Sequence, residues 1–187
     1  MRLTAISDPE DASGYSAHDL ISLGFKKSPT YAATLKGTKS IAAVDLADHD
    51  AIFVAGVRSP MITMIDDTKL HAFVASAFEA GKIVAALCHG TCTLLKTRLS
   101  NGELLVKGKT RTGFAISEEA IADGFVGMKV QSFWVEDEAK NLPDTSFVAN
   151  SMFKAFVAHD GTLIPGRQQL SGAAAAGLVA PSLGRPR

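Results

Sequence analysis

Apolar runs closed by glycine frame the middle of this chain. Ala51-Ile52-Phe53-Val54-Ala55-Gly56 is continuous in apolar character, the pattern of a strand buried on both faces. Asp66-Asp67-Thr68 then offers N-terminal caps for an amphipathic helix to about Ala80, with Leu70, Phe73, Val74 and Ala77 on one side and Gly81 as its stop. Ile83-Val84-Ala85-Ala86-Leu87 is a second apolar strand, and the small and polar residues after it suit a helix start. Strand, helix, strand, helix predicts an α/β fold with a mostly parallel sheet covered on both faces.

Outside that frame the elements are shorter. Arg2 to Ser7 reads as a strand, and the turn formers across residues 8–30 predict a long loop that covers a pocket, forms a subunit contact or has no role. Leu104 to Val106 and Arg111 to Gly113 read as short strands, followed by a helix from Ser117, its cap, to about Phe125. Phe147 to Ala149 is a further strand candidate. Ala155 to Ala158 and Thr162 to Ile164 form a hairpin across Asp160-Gly161, and an alanine-rich helix from Ser171 to about Ser182 closes a single domain over residues 1–187.

Composition adds exclusions. Apolar residues are 47% and charged residues 20% of 187, which is globular. Nineteen basic and nineteen acidic side chains cancel, so no net field draws nucleic acid or anionic lipid, and small molecules or other proteins are the expected partners. No apolar stretch reaches membrane-spanning length, and the N-terminus lacks the core of a signal peptide. Cys88 and Cys92 lie four apart across a strand-to-helix junction, a poor arrangement for a disulfide, which points to a reducing cytoplasm. His18, His49, His71 and His159 have no metal-ligand spacing. Glu136-Asp137-Glu138 reads as a solvated acidic face, Phe133-Trp134 as core or subunit contact, and Arg58 as either an anion ligand or a solvated surface arginine.

The chemistry centres on Leu87-Cys88-His89-Gly90. A cysteine where a buried strand turns sharply into a helix has the placement of a nucleophile elbow, with the small residues Ala86 and Gly90 on either side leaving room for the turn. Such a thiol faces the opening above the strand ends, where doubly wound sheets bind ligands. The competing reading makes Cys88 one more small buried residue. Cys92 is expected to pack inside.

The order of Asp50 to Gly56, Pro60-Met61, Glu79 to Lys82, Leu87 to Gly90, Leu105 to Lys109, Thr112-Gly113-Phe114 with Glu118-Glu119, and Asp160 to Ile164 resembles the PfpI superfamily of class I glutamine amidotransferase-like proteins. It is most similar to the branch of glutathione-independent glyoxalases and stress chaperones. The resemblance implies a flavodoxin-like three-layer sandwich and a homo-oligomer. It also implies a cysteine-dependent enzyme acting on a small aldehyde or other carbonyl substrate without a cofactor or metal. By the same resemblance Cys88 attacks, His89 moves the proton, and Glu119, with Glu118 the nearby alternative, orients the imidazole; Gly56, Val57 and Gly90 bind substrate. Amidase, peptidase or deglycase chemistry on the same thiol is the close variant. The rival from another class is a non-catalytic stress or interaction protein with a degraded site. Two departures motivate that rival. Val57 stands where relatives carry the second of paired glycines, and Arg2 to Ser7 resembles the family's second strand, so that its first strand and helix, and a glutamate that bonds the cysteine, have no counterpart.

Overall fold

The computed structural model describes residues 20–34, 36 and 38–184, and contacts divide the chain into units of residues 1–44 and 45–187. In the first unit lie helices α1 (Leu20–Lys27) and α2 (Pro29–Ala33), with the Phe25 and Tyr31 rings stacked at 5.7 Å. The expected loop over residues 8–30 is therefore helical in its second half, because Leu20-Ile21-Ser22-Leu23 supplies helix-compatible residues between turn formers. The expected strand Arg2 to Ser7 lies outside the described residues.

The second unit is built on strands β1 (Ala51–Val54), β2 (Ile83–Leu87) and β5 (Leu163–Gly166), with β3 (Thr110–Arg111) and β4 (Ser146–Phe147) as a separate parallel pair. Between them run α3 (Pro60–Thr63), α4 (Thr68–Glu79), α5 (Ile116–Val126) and α6 (Val135–Asn141), and α7 (Gly172–Leu183) follows β5. The main sheet is ordered β1-β2-β5 with every pair parallel; Val54 is opposite Ala86, and Leu87 is opposite Gly166. This is the flavodoxin-like parallel α/β arrangement the sequence predicts. Ile83, Ala85 and Ile164 pack with Ala175, Leu178 and Val179 of α7. Val84 and Ala86, which alternate to the other face, are also fully buried, so β2 is covered on both sides.

Several expectations need correction. β1 is not buried on both faces: Phe53, opposite Ala85, is 43% exposed, because α7, on that face, packs chiefly over β2 and β5. Leu104 to Val106 is not a strand. It makes one isolated bridge, Arg98 to Leu104, in a chain of tight turns, with Leu105 and Val106 packed inside. The segment after β2, Cys88–Leu95, is a 3-10 helix rather than an α-helix; the Thr91, Thr93 and Thr97 hydroxyls donate to the carbonyls of Cys88, Gly90 and Thr93. These back-bonds compete with regular helical spacing. The hairpin forms through Asp160–Leu163 and Val157–Gly166 bridges, but only its second arm is a full strand. No helix among the described residues is long and apolar enough to cross a membrane.

A Cβ at Gly90 would stand 2.5 Å from the Ala55 carbonyl oxygen, whereas one at Gly124, within α5, would meet nothing within 4 Å. Gly90→Ala should therefore destabilise the protein by about 1–3 kcal/mol, and Gly124→Ala should stabilise it by about 0.5–1 kcal/mol. Urea unfolding of both variants tests the contrast, and equal shifts would contradict it.

Candidate active site

β2 is the central strand, and Cys88 is the first residue beyond its carboxyl end. Its backbone is left-handed, φ 58°, a conformation that costs a non-glycine residue of order 1–3 kcal/mol and persists only when its surroundings impose it. The surroundings are close. A Cβ on Gly56 would lie 2.5 Å from Cys88 Cβ and 3.2 Å from its sulfur, so β1 can approach the elbow only where it carries no side chain. Gly90 allows the matching approach on the other side of the turn.

The sulfur faces His89, with Sγ 3.7 Å from Nδ1, and His89 Nε2 is 2.7 Å from Glu119 Oε1. His89 and Glu119 are buried. The imidazole also stacks on Phe114, ring centres 4.2 Å apart, which fixes the plane in which it bonds both neighbours. Burial alone would favour the neutral ring, but the hydrogen bonds and electrostatic pull of Cys88 and Glu119 outweigh it and raise His89 to about 9. At neutral pH the ring then carries both protons, one donated to Glu119 and one directed at the sulfur.

Glu119 is the acid on His89; Glu118, the alternative, is not. Glu118 points to a buried ion pair with Arg167, Oε2 to Nε 3.4 Å, both side chains 0% exposed, and its Oε1 accepts from the Phe153 N–H at 2.8 Å. Arg167 also donates to the carbonyls of Asn150 and Ser151 and to the Ser117 hydroxyl. This knot ties the first turn of α5 to the chain on either side of β5. Ser117 is not the cap of α5. The helix starts after Ala115, and its first N–H, that of Ile116, donates to Glu136 Oε2 at 2.8 Å. Glu136 thus leaves the expected acidic face: it is 6% exposed while Asp137 and Glu138 remain in solvent. A distant carboxylate satisfies the helix end better than the local hydroxyl because it bears the charge that the N-terminus attracts.

An open pocket of about 470 Å³ lies over the sulfur, lined by Ala55, Gly56, Val57, Arg58, Leu87, Cys88, His89, Phe114 and Gln169. Two of the expected substrate-binding residues, Gly56 and Val57, line it. Gly90 does not; it packs beneath, against the carbonyls of Val54 and Ala55. Val57 adopts φ 68°, so valine takes the left-handed backbone that a glycine would reach without strain. Cys92 is away from the pocket, in the cluster of Met61, Ile65, Leu95, Val135 and Ala139. Burial pushes its thiol up to about 12, with the Asp66 charge adding to the rise. Both cysteines are free. Among the described residues no three His, Cys, Asp or Glu side chains are grouped to hold a metal ion.

Residues 28–124 match the DJ-1/PfpI family. The chain belongs to the DJ-1/PfpI family. It is 26% identical over 185 residues, 98% of this chain and 83% of the relative, to a probable glutathione-independent glyoxalase of Schizosaccharomyces pombe. It is 31% identical over 105 residues, 56% of this chain and 58% of the relative, to the putative cysteine protease YraA of Bacillus subtilis. Among solved structures it is similar in fold to the Rapid Encystment Protein 24 KDa of Francisella tularensis, with TM-score 0.82 and 23% identity over 91% of this chain and 74% of the other.

Within this DJ-1/PfpI chain, Phe114, Arg167 and Glu136 are parts of the site that the sequence reading did not assign. Phe114 had a signal in the Thr-Gly-Phe segment. Arg167 had none, being a single charge in an irregular run, Pro165 to Gln169.

His89 rises from 6.5 unfolded to about 9 folded, so the stability it contributes is whole below about pH 6.5 and is lost as pH climbs through 9. Glu119→Gln removes one of the two groups responsible. The fall in unfolding free energy between pH 6 and 10 should be shallower in the variant, measured by denaturant titration at each pH; parallel curves would refute the assignment. Glu118→Gln removes the charge paired with Arg167 and should cost about 3–5 kcal/mol, while Glu118→Gln with Arg167→Met should cost clearly less than the sum of the two single losses. Additive losses in that cycle would dismiss the ion pair.

Proposed function

We propose that this chain is a cysteine-dependent enzyme that converts small 2-oxoaldehydes such as methylglyoxal to 2-hydroxy acids, a glyoxalase III-type reaction needing no added cofactor. The observation that carries it is the continuous line Cys88–His89–Glu119 opening on a pocket. The similarity to a probable glutathione-independent glyoxalase supports the choice of carbonyl.

The sulfur adds to the aldehyde carbon, making a C–S bond, and the new alkoxide takes a proton from His89. Neutral His89 then removes the hydrogen of that carbon as a proton, giving an enediolate, and returns it to the adjacent carbonyl carbon, while the hydroxyl proton passes from the first oxygen to the second. What remains is a 2-hydroxy thioester. Water cleaves the C–S bond, releasing the 2-hydroxy acid and restoring the thiol. The sum is 2-oxoaldehyde plus water to 2-hydroxy acid, with no outside oxidant or reductant. Glu119 holds the ring in one orientation through both transfers, and stacking on Phe114 keeps it from tilting. Carbonyl polarisation falls to backbone N–H groups at the Gly56-Val57 turn. A homo-oligomer working in the reducing cytoplasm accompanies this reading.

The similarity to a putative cysteine protease favours a second reading, amide hydrolysis by the same thiol. A silent site, the non-catalytic alternative, has in its favour the strained Val57.

Cys88→Ser should abolish formation of lactate from methylglyoxal, and Glu119→Gln should lower kcat by about 10²-fold or more, both followed by lactate assay. Turnover equal to wild type in Cys88→Ser ends the proposal. Cys88-dependent cleavage of peptide amides without lactate favours the second reading. Iodoacetamide labelling of Cys88 no faster than that of a model thiol favours the silent one.

A further inference from the structure

We infer that Arg58 makes this pocket selective for carbonyl substrates that carry an oxyanion, a carboxylate or phosphate, on the side of the molecule away from the reacting aldehyde. This rests on the carbonyl chemistry proposed above for Cys88 and narrows its substrate class.

The lining is lopsided in charge. Apart from the reacting pair Cys88 and His89, it consists of backbone and apolar surface from Ala55, Gly56, Val57, Leu87 and Phe114, with Gln169 as a neutral amide and Arg58 as the one permanent charge. Among the described residues no carboxylate lines it. Glu119, the nearest acid in the catalytic line, is 1% exposed and lies behind the imidazole it binds. The chain as a whole has no net charge, so a positive pocket is a local arrangement rather than the consequence of a basic protein.

Arg58 is also held. One guanidinium nitrogen donates to the Val130 carbonyl at 3.3 Å, and its neighbour Ser59 is buried at the start of α3. Arg58 is exposed, and this one bond restricts its side chain only in part, which still lowers what a ligand must order. A guanidinium offers five N–H donors in a planar fork, and its bond to Val130 occupies one edge. The remaining donors have no protein partner among the described residues, and they are matched by carboxylate or phosphate oxygens. A neutral substrate as small as methylglyoxal would leave this fork unused and fill little of a pocket of about 470 Å³. Cys88 and Arg58 line the same pocket, so a 2-oxoaldehyde extended by a short arm ending in an oxyanion could present its aldehyde to the one and its oxyanion to the other.

The reaction balances as before. 4,5-Dioxopentanoate plus water gives 2-hydroxyglutarate, with the distal carboxylate unchanged.

The test compares 4,5-dioxopentanoate, its neutral methyl ester and 3-phosphooxy-2-oxopropanal as substrates of the full chain, in wild type, Arg58→Met and Arg58→Lys. Wild type should prefer the free acid over its ester by about tenfold or more in kcat/KM, chiefly through KM. Arg58→Met should bring that ratio toward one, and Arg58→Lys should keep part of it. The phosphate compound separates the two oxyanions: the higher kcat/KM identifies the group the fork receives. A wild-type ratio near one, or a ratio that survives in Arg58→Met, overturns the inference.

A second readout does not need turnover. Rates of Cys88 alkylation by iodoacetate and by iodoacetamide, mapped by peptide mass and normalised to a free thiol, should favour the anionic reagent in wild type and lose several-fold of that preference in Arg58→Met. If no 2-oxoaldehyde is consumed but the alkylation preference tracks Arg58, the enzyme reading fails and the anion site stands. If turnover depends on Cys88 but neither preference depends on Arg58, the enzyme reading stands and the anion site falls.

Discussion

The left-handed backbone at Cys88 is the constraint from which the site follows. A cysteine in that conformation cannot continue β2 or settle into a regular helix, so the chain reverses within one residue and the sulfur projects beyond the sheet. What holds it there is the absence of atoms at two neighbouring positions. Gly56 lets β1 come within reach of the sulfur, and Gly90 lets the returning chain lie against the carbonyls of Val54 and Ala55. The parallel register that sets Val54 against Ala86 brings these pieces together. Strain at one residue is thus supported by packing on both of its flanks, which is how a buried strand end can present a reactive group.

The same economy explains how the Cys88–His89–Glu119 line is held although its acid comes from a separate helix. Glu119 lies in the first turn of α5, a helix without a local side-chain cap. Its position is set from outside: Glu136 binds the first N–H, and Glu118 is locked in the buried pair with Arg167. Adjacent glutamates therefore do different work. One is held by a fixed cation and anchors the helix, and the other is free to face an imidazole that carries a proton at neutral pH. Exchange of their roles would require α5 to rotate by about a third of a turn, against both anchors.

What the sequence made legible was set by local rules. β2, α4 with its Asp67 cap, the closing helix and the elbow follow from runs of apolar residues, turn formers and small side chains, each acting over a few positions. The identity of the acid came from resemblance and from its place after Thr-Gly-Phe. The rest depended on partners distant in sequence. Ser117 has the right chemistry for a cap, yet the first N–H of the helix, that of Ile116, is bound by Glu136, twenty residues beyond it. Glu136 sits in a run of three acids that local reasoning assigns to solvent, and only the packing of α6 beside α5 removes it from water. Leu104 to Val106 is a short apolar run of strand-like composition but makes only one isolated bridge. Arg167 is the extreme case, since a lone arginine between β5 and the following turn carries no pattern that would predict complete burial.

Val57 and Arg58 stand next to each other where a site built only for a small neutral aldehyde would need neither. Valine at φ 68° carries a strain that glycine would avoid, and an arginine in this lining is matched better by a charged oxyanion than by a neutral carbonyl. The two features make sense together if the turn after β1 serves to direct a side chain as well as a backbone N–H. A branched residue in that conformation narrows the backbone freedom of the turn, and the bond to Val130 fixes where the guanidinium goes. On that view the departure from paired glycines relocates binding energy from the reacting carbonyl to the far end of the substrate. Binding energy gained at a remote group can be used to hold the reacting carbon against the sulfur, so under the proposed chemistry the departure alters what the pocket accepts and leaves the Cys88–His89–Glu119 geometry in place.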